Sequence, residues 1–180
     1  TTGAITGGTL NGLYVKSGGT EFDNSILLRG DNLTFTNTLS NATGNIGLGN
    51  NVFKSLTSGS LNTCLGHASG INITTGNSNT CIGSGSGLNI TEGIKNTCNG
   101  MMSGYNINTG LNNTCIGSLS GYAITEGDYN TCIGSDSDTG TNNAQNQIVI
   151  GYNATGQGDN FAVIGNGDIE RLYAADDGAG

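Results

Sequence analysis

Five cysteines stand at one unvarying interval in this chain: Cys64, Cys81, Cys98, Cys115 and Cys132. Thiols in such a file could pair as disulfides, ligate a metal or fill a core. An odd number in one column is not a disulfide framework. Pairing of neighbours would leave one over, although adjacent strands lie near the Cα separation a disulfide needs. A zinc site needs convergent ligands, such as CxxC pairs with histidine, and the single histidine, His67, has no partner in sequence. The cysteines therefore read as small buried hydrophobes. Free thiols point to assembly in a reducing compartment, and no cofactor or metal is expected.

Acid–base chemistry has one candidate pair. Glu92 and Glu126 share a repeat position two units apart, which places them roughly 9–10 Å apart if the units stack as strands. Inverting glycosidases hold their carboxyls at about 6.5–9.5 Å. Thr75 and Thr109 fill the same position in other units, so a solvated turn is the preferred reading and no enzyme is expected. The run Asp136-Ser137-Asp138-Thr139-Gly140 has half of a calcium loop, with Asp128 and Asp159 nearby, but Gln147 stands where the twelfth-position acid belongs. That excludes an EF-hand and leaves a loose turn, with a surface cation as the alternative. Tyr105 and Tyr122 occupy one repeat position; such a ladder could meet sugar faces, but packing is the first reading. Sequons at Asn72 and Asn89 are what an Asn/Thr-rich chain contains by chance, and His67 reads as an exposed turn residue.

These residues need a framework, and composition limits what it can be. Of 180 residues, 33 are Gly, 26 Asn, 23 Thr and 15 Ser, with no Pro and no Trp. That is too little apolar matter for a conventional core and too much glycine for helix, since each Gly costs roughly 1 kcal/mol against Ala. The net charge of -8 and five scattered basic residues exclude a nucleic-acid footprint. No run approaches the ~18 apolar residues of a membrane span, and the opening residues lack a leader pattern.

The framework is a repeat. Asn62-Thr63-Cys64-Leu65-Gly66 returns at 79–83, 96–100, 113–117 and 130–134. Each unit continues with Ser69-Gly70 or its equivalents, an alternating run such as Ile71/Ile73, and a closing glycine at Gly76, Gly93, Gly110 or Gly127. A degenerate copy occupies 46–62, and Val149-Ile150-Gly151 is answered at a shorter interval by Val163-Ile164-Gly165. A fixed period of this length means stacked units. Two alternating runs with two turns per unit predict an all-β fold, a parallel β-helix or β-roll of 17-residue coils. Residues 1–45 are expected to form an N-terminal cap or shaft start, 46–165 the repeat shaft, and 166–180 a C-terminal cap and tail. Each coil offers so few apolar side chains, at about 1.5–3 kcal/mol apiece, against roughly 1–2 kcal/mol of ordering per residue, that an oligomer is expected, and a trimer suits a rod.

The motif Asn-Thr-Cys-Ile-Gly followed by Ser-Gly-x-x-Ile-Thr-x-Gly resembles the Asn-Thr-Ala-Ile-Gly repeats of trimeric viral fibre and tailspike shafts. It is also similar to the Ala-Ile-Gly repeats in the heads of trimeric autotransporter adhesins. The resemblance covers about 46–165 and departs from both in having Cys where Ala is usual. It implies a three-chain parallel β-rod displayed on a virion or cell surface, here a homotrimer of a virion assembled in host cytoplasm, with a host surface glycan or receptor as partner. In the fibre group a segment like Val163-Ile164-Gly165-Asn166-Gly167 precedes a self-cleaving intramolecular chaperone, which implies a processing end at Gly180. The alternatives carried forward are an adhesin head and a polysaccharide-degrading tailspike.

Overall fold

Each Asn-Thr-Cys-Ile-Gly segment is a strand of only its middle three residues, because its Thr and Ile are β-branched and its glycine turns the chain immediately afterwards. The computed structural model describes residues 41–169 together with three earlier strands, β1 (Gly8–Leu10), β2 (Leu13–Lys16) and β3 (Ile26–Arg29). The strands that follow are β4 (Ile46–Leu48), β5 (Thr63–Leu65), β6 (Thr80–Ile82), β7 (Thr97–Asn99), β8 (Thr114–Ile116), β9 (Thr131–Ile133), β10 (Ile148–Ile150) and β11 (Ala162–Ile164). All eleven lie in one sheet in chain order. β1, β2 and β3 pair antiparallel, and from β3 onward every pairing is parallel and in register. Cys64 faces Cys81, Cys81 faces Cys98, and so on to Cys132. The all-β solenoid of 17-residue coils is as the sequence predicts, and no helix occurs among the described residues.

One expectation is corrected. The second alternating run of each coil does not form a strand. Gly70, Gly87, Gly104 and Gly121 all adopt φ of +55 to +62°, which turns the chain where a strand would need it extended. Ile73 N–H bonds back to Gly70 O at 3.2 Å, while Gly70, Asn72 and Thr74 N–H reach forward to Ser86, Leu88 and Thr91 carbonyls. The coils thus stay hydrogen-bonded to one another on this side through stacked turns rather than a second sheet.

Glycine marks steric contact in this fold more faithfully than it marks backbone sign. At Gly66, Gly83, Gly100 and Gly117 an added Cβ would lie 2.4–2.5 Å from the carbonyl oxygen of the glycine one coil on. By contrast Leu61, Ser78, Lys95, Asn112, Tyr129 and Asn146 form a column at φ of +52 to +60° with no glycine at all. An L-residue there carries roughly 1–2 kcal/mol of strain, which the hydrogen-bonded stack holds in place.

The interior is half polar. Ile73, Ile90, Ile107 and Ile124 form one fully buried column and Cys64 to Cys132 another. Each thiol from Cys64 to Cys115 occupies the space over the α-carbon of the next Ser-Gly glycine in its own coil, where a Cβ would come within 2.2–2.5 Å of sulfur. Beside them runs a third column, Asn45, Asn62, Asn79, Asn96, Asn113 and Asn130, with no exposure. In each step from Asn62 to Asn130, the side-chain amide donates to the preceding asparagine's Oδ1 at 3.0–3.1 Å and to a carbonyl 14 residues on at 2.7–2.9 Å. The same Oδ1 also receives the backbone N–H of the next asparagine at 2.9–3.0 Å. An interior carboxamide therefore uses both donors and accepts twice, its full capacity.

At the N-terminal end Leu27, Ala42, Val52, Phe53 and Leu56 widen the core. The cap expected over 1–45 otherwise falls mostly outside the described residues, as does the tail from 170, including Gly180. The ladder stops at Gln147, which takes its place for the backbone bond to Asn130 Oδ1 but whose buried side-chain amide finds no partner. The next coil is shorter: Ile148 faces Ala162, and the Asn146 amide donates to Asn160 Oδ1 across 14 residues.

Substitutions should separate these contacts. Gly83→Ala, read by urea unfolding, costs about 3 kcal/mol or more. Gly85→Ala, at a position where Ala68 is already accommodated one coil earlier and the nearest atom to a new Cβ is 3.4 Å away, costs about 1 kcal/mol. Asn96→Ala strands buried groups on both neighbouring coils and costs about 4 kcal/mol. Asn130→Ala costs less in the same assay, because only the Gln147 N–H depends on its Oδ1.

Candidate functional site

Because successive residues of a strand point to opposite faces, burying the cysteine puts its neighbours outside. The outer face of the sheet carries two columns. One is Ile46, Thr63, Thr80, Thr97, Thr114, Thr131, Ile148 and Ala162; the other is Leu48, Leu65, Ile82, Asn99, Ile116, Ile133, Ile150 and Ile164. No charged residue stands in either. Ile46, Leu48, Leu65, Ile116, Ile133, Ile148 and Ile164 are each 37–52 % exposed. An aliphatic stripe of this length on a chain so poor in apolar residues is the kind of surface that marks an interaction site. The repeat had revealed these positions as apolar, but their outward direction follows only from the burial of Cys.

The thiols are free and buried. Burial pushes the Cys64 thiol well above its ordinary range, and at Cys132 the hydrogen-bonded Cys115 thiol, then burial, do the same. Cys81 and Cys115 are shifted the other way by hydrogen bonds with the thiols on either side; all five pack in the subunit core as small apolar side chains, closed off from solvent.

The other candidates separate. Glu92 and Glu126 are both exposed on solvated turns and line neither of the two grooves described below. His67 is exposed as expected. Asp128 Oδ1 accepts the Leu111 N–H at 2.7 Å and Asp159 Oδ1 accepts the Gln145 N–H at 2.8 Å, so each carboxylate binds the coil before it. Among the described residues no group of three or more His, Cys, Asp or Glu is placed to hold a metal. The sequon asparagines form an outer ladder instead: Asn72 donates to Asn89 Oδ1, Asn89 to Asn106 Oδ1, and Asn106 to Tyr122 O.

That outer ladder ends at Ala123, and a groove opens there. Ala123 N–H is taken by the Asp138 carboxylate, at 2.8 and 3.1 Å to its two oxygens, and Thr139 N–H binds the same group at 2.8 Å. The groove encloses about 400 Å³ and is walled by Leu119, Tyr122, Asp136, Asp138, Asn153 and Thr155. Tyr122 is 40 % exposed and stacks on Tyr105 with ring centroids 5.4 Å apart and planes 19° from parallel. A second, wider groove lies at the last coil, between Asn153, Gln157 and the Val163–Asp168 segment. The sequence singled out Asp136, Asp138 and Tyr122 separately; it did not bring them together with Leu119, Asn153 and Thr155, because the six come from three coils. Burial pushes the Asp138 carboxyl up to about 6, against the opposing pull of its two backbone N–H donors.

No protein family, no curated protein and no solved structure matches this chain.

A carboxyl whose folded-state pKa is raised binds its proton more tightly in the fold than in the unfolded chain. Its stabilisation is complete below the ordinary value of 3.8 and is lost as pH rises through about 6. Asp138→Asn keeps an acceptor for Ala123 N–H without the buried charge. Urea midpoints measured across this range should be flatter for the variant, and at pH 7 the variant should be the more stable protein.

Proposed function

We propose that this chain is a rigid shaft segment of a virion fibre, a homotrimer whose three sheets pack outer face to outer face, serving host attachment or spacing. The observation that carries the reading is the uncharged double column on the outer face of the sheet, half-buried to exposed along its length from β4 to β11. Its side chains recur once per coil, roughly 4.8 Å apart. An occupant that fills such a column along its whole length must carry the same rise, and a second and third copy of this chain do so by construction. Closure about a threefold axis buries the stripe on every copy and leaves none to extend sideways. The thin, half-polar core of each coil gains apolar burial it does not have alone.

The buried free thiols fit assembly in the reducing cytoplasm of a host cell, and they favour a virion over the secreted adhesin head that the repeats also resemble. The role proposed is binding and display rather than turnover, since Glu92 and Glu126 line neither of the two grooves described above.

Light scattering tests the assembly. The expected mass is three times the 18.1 kDa of the chain, unchanged by reductant. Ile116→Asp, in the middle of the stripe, should lower it to that of the single chain, while Glu92→Gln on the solvated turn leaves the trimer intact. A single-chain mass for the unmodified protein at micromolar concentration would overturn the trimeric shaft.

A further inference from the structure

The groove at Tyr122 lies where the repeat departs from its own pattern in three ways. The glycine column Gly70, Gly87, Gly104, Gly121 gives way to Asp138. The bulky column Ile71, Leu88, Tyr105, Tyr122 gives way to Thr139, and the isoleucine column ending at Ile124 gives way to Thr141. Thr139 has no ring and is turned inward, 4 % exposed, so the stack of Tyr105 on Tyr122 has no third member. The next place in the stack is the groove itself.

The walls define what can take that place. Leu119 adds an apolar surface beside the ring. Asp138 is fixed through both oxygens by backbone N–H groups, so its remaining lone pairs have set directions. Asp136 is held by the Ser135 hydroxyl at 2.9 Å, and Asn153 and Thr155 complete a rim of short polar side chains. None of the lining residues is Lys, Arg or His, so nothing there answers a phosphate, sulfate or carboxylate. The volume, about 400 Å³, is at the small end of ligand sites. A ligand matched to one aromatic face, carboxylate acceptors around the rim and no basic side chain is flat and apolar on one side, rich in hydroxyl donors at its edge, and not anionic.

We propose that this groove is a binding subsite for a neutral hexopyranose unit, whose C–H face stacks on Tyr122 and whose hydroxyls donate to Asp136 and Asp138. This deepens the attachment role proposed above by naming its ligand class. It is independent of the number of chains in the rod, because one chain supplies every wall.

Saturation-transfer NMR on the intact chain tests it, with the methyl glycosides of glucose, galactose, mannose and N-acetylglucosamine as probes and a methyl sialoside as the anionic comparison. At least one neutral glycoside should receive saturation, strongest at its ring C–H protons, and the sialoside none. Tyr122→Ser should weaken that binding by about tenfold or abolish it, and Asp136→Asn, which leaves side-chain volume and the left-handed backbone undisturbed, should weaken it also. Tyr129→Ser, at a 60 % exposed tyrosine of a different column, should not. Silence from all four neutral glycosides, equal saturation of the sialoside, or binding that survives both Tyr122→Ser and Asp136→Asn would overturn the subsite. None of these outcomes bears on the mass of the assembly, so the subsite and the trimer stand or fall separately.

Discussion

The buried asparagine carboxamide is the interaction on which this fold depends. A regular coil has little to hide from water besides one isoleucine and one cysteine, and a stack built on those alone would be loose in register. The asparagine column removes that freedom. Each carboxamide binds the backbone and side chain of one neighbour and a carbonyl across the coil, so a slip by one residue would orphan several buried polar groups at once, each costing about 1–3 kcal/mol. Polar satisfaction therefore sets register here, a task that falls to patterned hydrophobic burial in most sheets.

Other columns follow from that constraint. Coils brought close enough for carboxamides to bond leave no space for a Cβ at Gly66 and its equivalents, where backbone meets backbone. The thiol column depends on a second glycine file in the same way, for the Cys64 sulfur fills the space that a Cβ at Gly70 would need. The serine column shows that the stack tolerates some variation: Ser69 and Ser86 hydroxyls donate to carbonyls of the next coil, Ser120 and Ser137 to their own coil, and Ser103 between them has no partner.

Much of this was legible because the repeat is unbroken in length. Period and turn residues were enough for coil size, strand position and the burial of Cys64 to Cys132. What was not legible in the backbone has a common cause: side-chain type reports Cβ clearance and says little about backbone sign. Gly70 sits in an alternating apolar run that reads as a strand, and only its positive φ converts the run to a turn. Lys95 and Tyr129 adopt the same left-handed region with nothing in their chemistry to announce it. The groove was hidden for a different reason, since Leu119, Tyr122, Asp138 and Asn153 are brought together by stacking. Its trace in the sequence is negative: Asp138 and Thr139 are where the columns fail.

A stack with in-register pairing also behaves as a ruler. From β4 to β10 every unit adds the same length of chain and the same step along the axis, roughly 4.8 Å, and its contacts are with the unit on either side. Length in such a molecule is quantised. A gene that duplicates or drops the coding sequence of one whole repeat changes reach by a single rung while leaving every surviving column continuous, whereas a change of any other size throws asparagine, cysteine and glycine out of file together. The shortened coil after Gln147 shows that departure in place: a smaller loop of chain, a carboxamide without partners, and the end of the regular count.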